Sequence, residues 1–180
     1  MERVGAARGG DMSGRSEHLF VPEPANFRSF RDALGSFTTG VTVVTALGPH
    51  GPMGMTVNSF ASVSLDPPLV LWSPAKSSTR HDLFTAADYY AIHVLSADQN
   101  DLSVRFTRGG AGFAGLEWDC NEEGAPVIPE TLARFECVRS TIYDAGDHSI
   151  VIGRVLRAAH REGEPLCFLR GSFGRFARTV

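Results

Sequence analysis

The feature that most constrains the fold is a series of short extended segments separated by turn residues. Residues 41–46 (VTVVTA) are mostly β-branched, which favours a strand, and the Gly and Pro residues at 48–52 predict a turn. Further extended segments are predicted at residues 53–58, 59–65, 69–72, 89–95, 132–143, 149–159, 165–170 and 172–176. A parallel sheet would need a helix between most of these strands. The pattern instead predicts a mainly β protein whose antiparallel strands close into a barrel.

Three short segments have helical patterns. Apolar residues recur at three- and four-residue steps over residues 27–36, with Asn26 as the N-cap. Thr79 followed by Asp82 predicts a capping box that opens a helix over residues 79–86. A third helix is predicted over residues 97–105, before a glycine-rich loop.

Composition excludes several classes of protein. The 180 residues suit one domain, which we place at residues 24–180 after a disordered tail at residues 1–23. The formal net charge of -3 argues against nucleic-acid binding, and no run approaches the roughly 20 apolar residues of a membrane span. Cys120, Cys137 and Cys167 fit neither a disulfide framework nor a metal site, so we expect a reducing cytoplasm and no metal.

Residues 110–115 match the GxGxxG dinucleotide fingerprint. In a Rossmann fold that string must follow a strand and open a helix, so that the helix N-terminus meets the pyrophosphate. Here the preceding segment has a helical pattern, and extended chain follows. We therefore interpret the string as a flexible loop.

The segment 54–68 places small hydroxyl and amide side chains, among them Thr56, Asn58, Ser59 and Ser62, between small and apolar residues. Such side chains let the backbone approach a flat ring and bond its polar edge, as a flavin would require. An ordinary strand with alternating polar and apolar faces would give the same pattern.

Residues 73–80 supply two cations and, at positions 77–79, three consecutive hydroxyls at a predicted helix start. Free N–H groups and the positive end of the helix dipole favour phosphate there. A capped helix with solvated charges is the alternative.

His148 lies in a predicted turn. There it would contact a nicotinamide or carry a proton near neutral pH; a solvated turn residue is the alternative.

Taken in order, these segments resemble one known family. The matching stretches are residues 37–45 (FTTGVTVVT), residues 54–68, Gly146-Asp147-His148 with Ile150 and Gly153, and Pro165-Leu166 with Gly171 and Phe173. The chain resembles the flavin reductase-like family with the FMN-binding split-barrel fold, in particular the reductase components of two-component monooxygenases. The resemblance runs from Phe27 to Phe176.

The resemblance implies positions for the cofactors. The flavin ring would lie against Met55, Thr56, Asn58, Ser59 and Ser62, and its phosphate would meet Lys76, Ser77, Ser78 and Thr79. Near the flavin or its tail would be Asn100, Arg105 and Phe106, while His148 would face the nicotinamide with Phe168 and Arg170 nearby. The chain departs from the family pattern at His93, where an asparagine is expected, and at Phe168, where many relatives have tyrosine.

The resemblance also implies an activity, which is hydride transfer from NADH or NADPH to FMN or FAD in a homodimer that supplies reduced flavin to a partner monooxygenase. The residues alone leave open FMN against FAD and NADH against NADPH. They also leave open an oxidase of a small amine on the same fold, and a flavin- or haem-binding module without catalysis.

Overall fold

The computed structural model describes residues 17–107, 109 and 112–177. A 3-10 turn at Pro24–Asn26 precedes helix α1 (Phe27–Leu34), and the other helices are α2 (His81–Ala86) and α3 (Asn100–Arg105). The strands are β1 (Thr39–Gly40), β2 (Thr42–Gly48), β3 (Gly51–Val57), β4 (Ala61–Leu65), β5 (Pro68–Trp72), β6 (Tyr89–Val94), β7 (Asp119–Cys120), β8 (Pro126–Val127), β9 (Ala133–Ala145), β10 (His148–His160), β11 (Leu166–Leu169) and β12 (Ser172–Arg175).

The strands form a large sheet, a small sheet and one short pair. The seven-stranded sheet has the order β3-β2-β6-β9-β10-β5-β4, the three-stranded sheet has the order β1-β11-β12, and β7 pairs with β8. Every pairing is antiparallel. The mainly β, antiparallel prediction is therefore confirmed.

The two sheets are joined where the chain passes from β1 to β2. At that junction the Val41 N–H donates to the Leu166 carbonyl, and the Val41 carbonyl accepts from the Leu95 N–H. Strand β2 is buried on both faces, since Val44 belongs to a core cluster around Trp72 and Val43 to a second cluster around Phe106. This double burial explains why the sequence there is a continuous β-branched run.

Three local predictions need correction. Helix α2 begins at His81 rather than Thr79, and its N-cap Arg80 makes no capping hydrogen bond, so the Thr79–Asp82 capping box does not form. Helix α3 begins at Asn100, because a turn in which the Gln99 N–H donates to the Ser96 carbonyl precedes it. His148 is the first residue of β10, paired with Ala145, rather than a turn residue.

The loop after α3 lacks the surroundings of a dinucleotide fingerprint. Helix α3 precedes it, and β7 is the next regular element. Gly110 and Ala111 of the GxGxxG string lie outside the described residues, as do residues 1–16 of the predicted tail. Residues 17–23 form neither helix nor strand. Within the described residues, no helix combines the length and the hydrophobicity that a membrane crossing requires.

Candidate active site

A cleft of about 190 Å³ lies where the large and small sheets meet. It brings Thr56 and Asn58, at the end of β3, together with Phe168 of β11 and Phe173 of β12. Val41, Val57 and Thr107 complete the lining. The structure therefore brings a predicted ring-binding segment and a predicted nicotinamide contact into one cavity.

The polar side chains of the predicted ring segment differ in their availability. Asn58 and Ser62 are exposed, and neither side chain has a hydrogen-bond partner among the described residues. The Thr56 hydroxyl donates to the Ser103 carbonyl. The Ser59 hydroxyl donates to the Ser73 carbonyl at 3.2 Å and accepts from the Ser73 N–H at 2.9 Å, so it ties this segment to the next turn.

Two predicted cofactor contacts face the core instead. The side chain of Met55 is 5% exposed and packs in the cluster around Trp72, because alternate residues of β3 point to opposite faces. Phe106 is fully buried beneath Gly54. Neither side chain is accessible to a ligand in this chain, so a cofactor contact at either position would have to come from the backbone.

The segment 73–80 meets the turn between β9 and β10. Lys76 Nζ donates to Asp144 Oδ2 and to the Gly146 carbonyl, each at 2.6 Å, and the Lys76 N–H donates to the Asp147 carbonyl. The hydrogen bond and the charge of Lys76 lower the pKa of the Asp144 carboxyl. Lys76 is thus engaged with the hairpin, whereas Ser77 and Thr79 are exposed and their hydroxyls bind no other described residue.

The Arg80 guanidinium binds backbone carbonyls of its own chain and is therefore not free to bind a phosphate. Its Nη1 donates to the carbonyls of Gly54 and Phe106 at 2.9 and 2.8 Å, and its Nη2 donates to the Thr107 carbonyl at 3.0 Å. Burial lowers the pKa of this guanidinium. The side chain therefore fixes β3 and the end of α3 relative to the hydroxyl-rich turn, next to the cleft residue Thr107.

His148 and His81 form two hydrogen-bonded pairs near the start of β10. His148 Nδ1 lies 2.7 Å from Asp147 Oδ1, and its side chain is 43% exposed. His81 Nε2 lies 2.9 Å from the Ser149 hydroxyl, and its Nδ1 lies 2.9 Å from Asp82 Oδ1. The His81–Ser149 contact connects α2 to the strand that carries His148, and nothing in the local sequence predicted it.

Comparison with known proteins decides the family. Residues 34–177 match the model of the flavin reductase like domain. The chain belongs to the flavin reductase-like family. It is 70% identical over 163 residues to the FMN reductase (NADH) SmoA of Agrobacterium fabrum, covering 91% of this chain and 94% of that protein. It is 38% identical over 150 residues to the reductase subunit HsaB of a flavin-dependent monooxygenase from Mycobacterium tuberculosis, covering 81% of this chain and 80% of that protein.

A solved structure extends the likeness to the whole fold. The structure is the NADH:FAD oxidoreductase SgcE6 of Streptomyces globisporus in complex with NAD and FAD fragments. It superposes with a TM-score of 0.81 at 40% identity, covering 88% of this chain and 98% of that one. The split-barrel fold expected from the sequence is confirmed.

The accessible side chains of this flavin reductase-like protein suit a flavin. The exposed Asn58 amide offers both a donor and an acceptor, as the polar edge of an isoalloxazine ring requires. Phe168 and Phe173, with ring centroids 5.3 Å apart, form an apolar wall of the same cleft. The hydroxyls of Ser77 and Thr79 provide donors for a phosphate.

The remaining predicted contacts lie outside the cleft lining. Arg105 Nη1 donates to the carbonyls of Gly112 and Ala114 at 3.4 and 3.2 Å, so it holds the loop that follows α3. Asn100 Oδ1 is buried and has no hydrogen-bond partner among the described residues. Arg170 lies in the turn between β11 and β12, where it lines a second cavity together with Phe168.

Proposed function

We propose that this protein is an NADH-dependent FMN reductase. The observation that carries the proposal is the cleft lined by Thr56, Asn58 and Phe168. The hydroxyl-rich turn at residues 73–80 is connected to this cleft by the hydrogen bonds of Ser59 and Arg80. The 70% identity to a protein named FMN reductase (NADH) supports FMN and NADH as the pair of nucleotides.

The protein's role in this chemistry is to bind and orient two rings. The bound cofactors supply the redox chemistry, since reduced nicotinamide gives a hydride and flavin accepts it. Asn58 would bond the polar edge of the flavin, and Ser77, Ser78 and Thr79 its phosphate. Phe168 and Phe173 give the cleft an apolar wall that excludes water from the ring faces. His148, exposed and paired with Asp147, would hold a proton beside the nicotinamide.

The reduced flavin would then pass to a partner monooxygenase. A volume of about 190 Å³ is below the roughly 300 Å³ of typical ligand pockets, so one chain encloses only part of a flavin. Such partial enclosure is consistent with release of the reduced product. The relative HsaB is named as the reductase subunit of a flavin-dependent monooxygenase, which supports the same role here.

The same small cleft supports a homodimer, in which a second copy would complete the flavin site. Helix α1 exposes an apolar face made of Phe27, Phe30 and Leu34, and Phe37 follows it, 77% exposed. Large apolar surfaces of this kind mark contacts with other proteins.

The free thiols of Cys120, Cys137 and Cys167 support a reducing, cytoplasmic location.

Anaerobic mixing of the purified protein with FMN and NADH tests the proposed activity. Absorbance near the oxidised-flavin band should be lost many times faster than in the same mixture without protein. Flavin binding is measured separately by fluorescence quenching. Flavin binding without faster bleaching would reject the reductase and favour a binding module; absence of both would reject the flavin site.

A further inference from the structure

A second cavity of about 660 Å³ adjoins the cleft and shares Phe168 with it. Its other lining residues are Arg31, Asp32 and Gly35 from α1 and its end, and Arg170 and Gly171 from the β11–β12 turn. Because Phe168 borders both spaces, a molecule in the larger cavity would extend to the edge of the cleft at Phe168.

The cavity presents two guanidinium groups without a carboxylate partner. Neither Arg31 nor Arg170 forms an ion pair in the described part of the chain. The one side-chain hydrogen bond found for Arg170 runs from Nη2 to the Ser36 hydroxyl at 3.0 Å. Most of the donors of both groups thus remain available. Guanidinium groups bind phosphate oxygens in a bidentate manner, so the pair is suited to a pyrophosphate.

The position of Arg170 depends on an unusual backbone conformation. Arg170 has φ of 48° and Gly171 has φ of 81°, both in the left-handed region that most residues avoid. The Arg170 N–H donates to the Gly35 carbonyl at 3.0 Å. A Cβ at Gly35 would lie 3.6 Å from Arg170 Cα, so the turn packs closely on the end of α1. This packing brings the two arginines to one cavity.

Arg31, which lines this cavity, acts electrostatically on the turn before His148. The hydrogen bond from His148 and its charge lower the pKa of Asp147, and the charge of Arg31 contributes in the same direction.

We propose that this cavity holds the adenosine diphosphate half of NADH, with Arg31 and Arg170 on its pyrophosphate and Asp32 accepting hydrogen bonds from the adenosine ribose. The Asp32 carboxylate is exposed and has no hydrogen-bond partner among the described residues. It would repel the additional phosphate of NADPH, so it selects NADH. This inference rests on the proposed reductase function, because it assigns the nucleotide end of that enzyme's hydride donor.

Binding of ADP-ribose, which lacks the nicotinamide ring, tests the two arginines by titration calorimetry. Arg31→Gln and Arg170→Gln should each weaken binding at least about tenfold, since each removes a charge-assisted contact to phosphate. FMN affinity should stay within twofold of the parent. Arg28→Gln is the matched control, because Arg28 is exposed on the same helix and does not line the cavity.

The nucleotide preference tests Asp32. In the Asp32→Asn variant, the preference for NAD⁺ over NADP⁺, measured as the ratio of the two affinities, should fall by about tenfold or more. Unchanged ADP-ribose affinity in both arginine variants, or an unchanged ratio in the Asp32 variant, would overturn the assignment. If the parent bleaches FMN with NADH but does not bind ADP-ribose, this inference fails alone. If the parent does not bleach FMN at all, the proposed function fails.

Discussion

At the scale of a single residue, His93 is fixed by the backbone through both ring nitrogens. Its Nδ1 donates to the Val43 carbonyl at 3.1 Å, and its Nε2 accepts from the Ile128 N–H at 3.0 Å. The second contact requires an unprotonated Nε2, so the ring is neutral. Complete burial lowers the pKa of His93 to about 4, although the Val43 carbonyl acts in the opposite direction.

The free energy of unfolding should therefore fall as the pH is lowered. Between pH 6.5 and about 4 the unfolded chain binds a proton at His93 that the native chain does not, so stability present above pH 6.5 is lost across that window. The loss amounts to roughly 3 kcal/mol over the whole window, of which about 2 kcal/mol falls between pH 7.5 and pH 5. Urea denaturation at pH 5 and pH 7.5 measures it. His93→Gln should reduce the difference between the two pH values, and His50→Gln, at an exposed position, should not. Equal differences in all three proteins would contradict the assignment.

His148 is the residue on which the nicotinamide chemistry should depend. His148→Ala should slow flavin reduction or raise the KM for NADH by about tenfold or more, because it removes the side chain that would orient the nicotinamide or hold its proton. FMN affinity should change little. His50→Ala is the control, since that histidine is exposed in the β2–β3 turn. Stopped-flow traces with the same NADH dependence in the variant and the parent would remove His148 from the site.

At the scale of secondary-structure elements, the cleft depends on how closely β3 approaches the end of α3. The Thr56 N–H and Arg80 Nη1 both donate to the Phe106 carbonyl. On Gly54, a Cβ would lie 2.3 Å from Cδ1 of the Phe106 ring. Phe106 is fully buried, so its ring has little room to move away. Glycine is therefore required at position 54 for the approach of these two elements.

Gly54→Ala should lower the free energy of unfolding by about 2 kcal/mol, because the added methyl group overpacks the core. Gly40→Ala is the matched control, since a Cβ there meets nothing within 4 Å. The double variant Gly54→Ala/Phe106→Leu should recover part of the loss by removing the ring atoms that clash. Thermal denaturation compares the three, and equal effects of the two glycine substitutions would show that the Phe106 contact is not responsible.

At the scale of the whole molecule, the apolar face of α1 has no cover in the described part of the chain. None of the residues of α1 is buried, although Phe30 and Leu34 are large and apolar. Burying such side chains against a second copy would stabilise a dimer by about 1.5–3 kcal/mol for each one fully removed from water. The polar residues Arg31 and Asp32 of the same helix line the second cavity.

Light scattering after size exclusion should give twice the chain mass of 19.4 kDa. Leu34→Arg should shift the protein toward the monomer and weaken flavin binding in parallel, because a second copy would complete the small cleft. Ser29→Arg adds the same charge to the same helix outside the apolar face and should leave the dimer intact. A monomeric parent, or a Leu34→Arg variant that is still fully dimeric, would rule out this face as the interface.

The sequence by itself determined the mainly β, antiparallel fold and the family. Strand patterns are local, since alternation and turn residues are visible within a few positions, and this is why β2, β6, β9 and β10 were predicted nearly at their observed bounds. The family resemblance also placed Asn58 and Phe168, which line the cleft, among the expected cofactor contacts, although Phe168 departs from the tyrosine of many relatives.

The tertiary structure alone decided which of those side chains are accessible and what they contact. The sequence did not reveal that Met55 and Phe106 face the core. Both faces of β3 carry small and apolar residues, and Phe106 follows α3, so the local pattern does not show which side will be covered. The contacts of Arg80 with three distant carbonyls, of His81 with Ser149, and the meeting of Arg31 with Arg170 join residues far apart in the sequence. Such contacts depend on the packing of whole elements, so no local pattern could have predicted them.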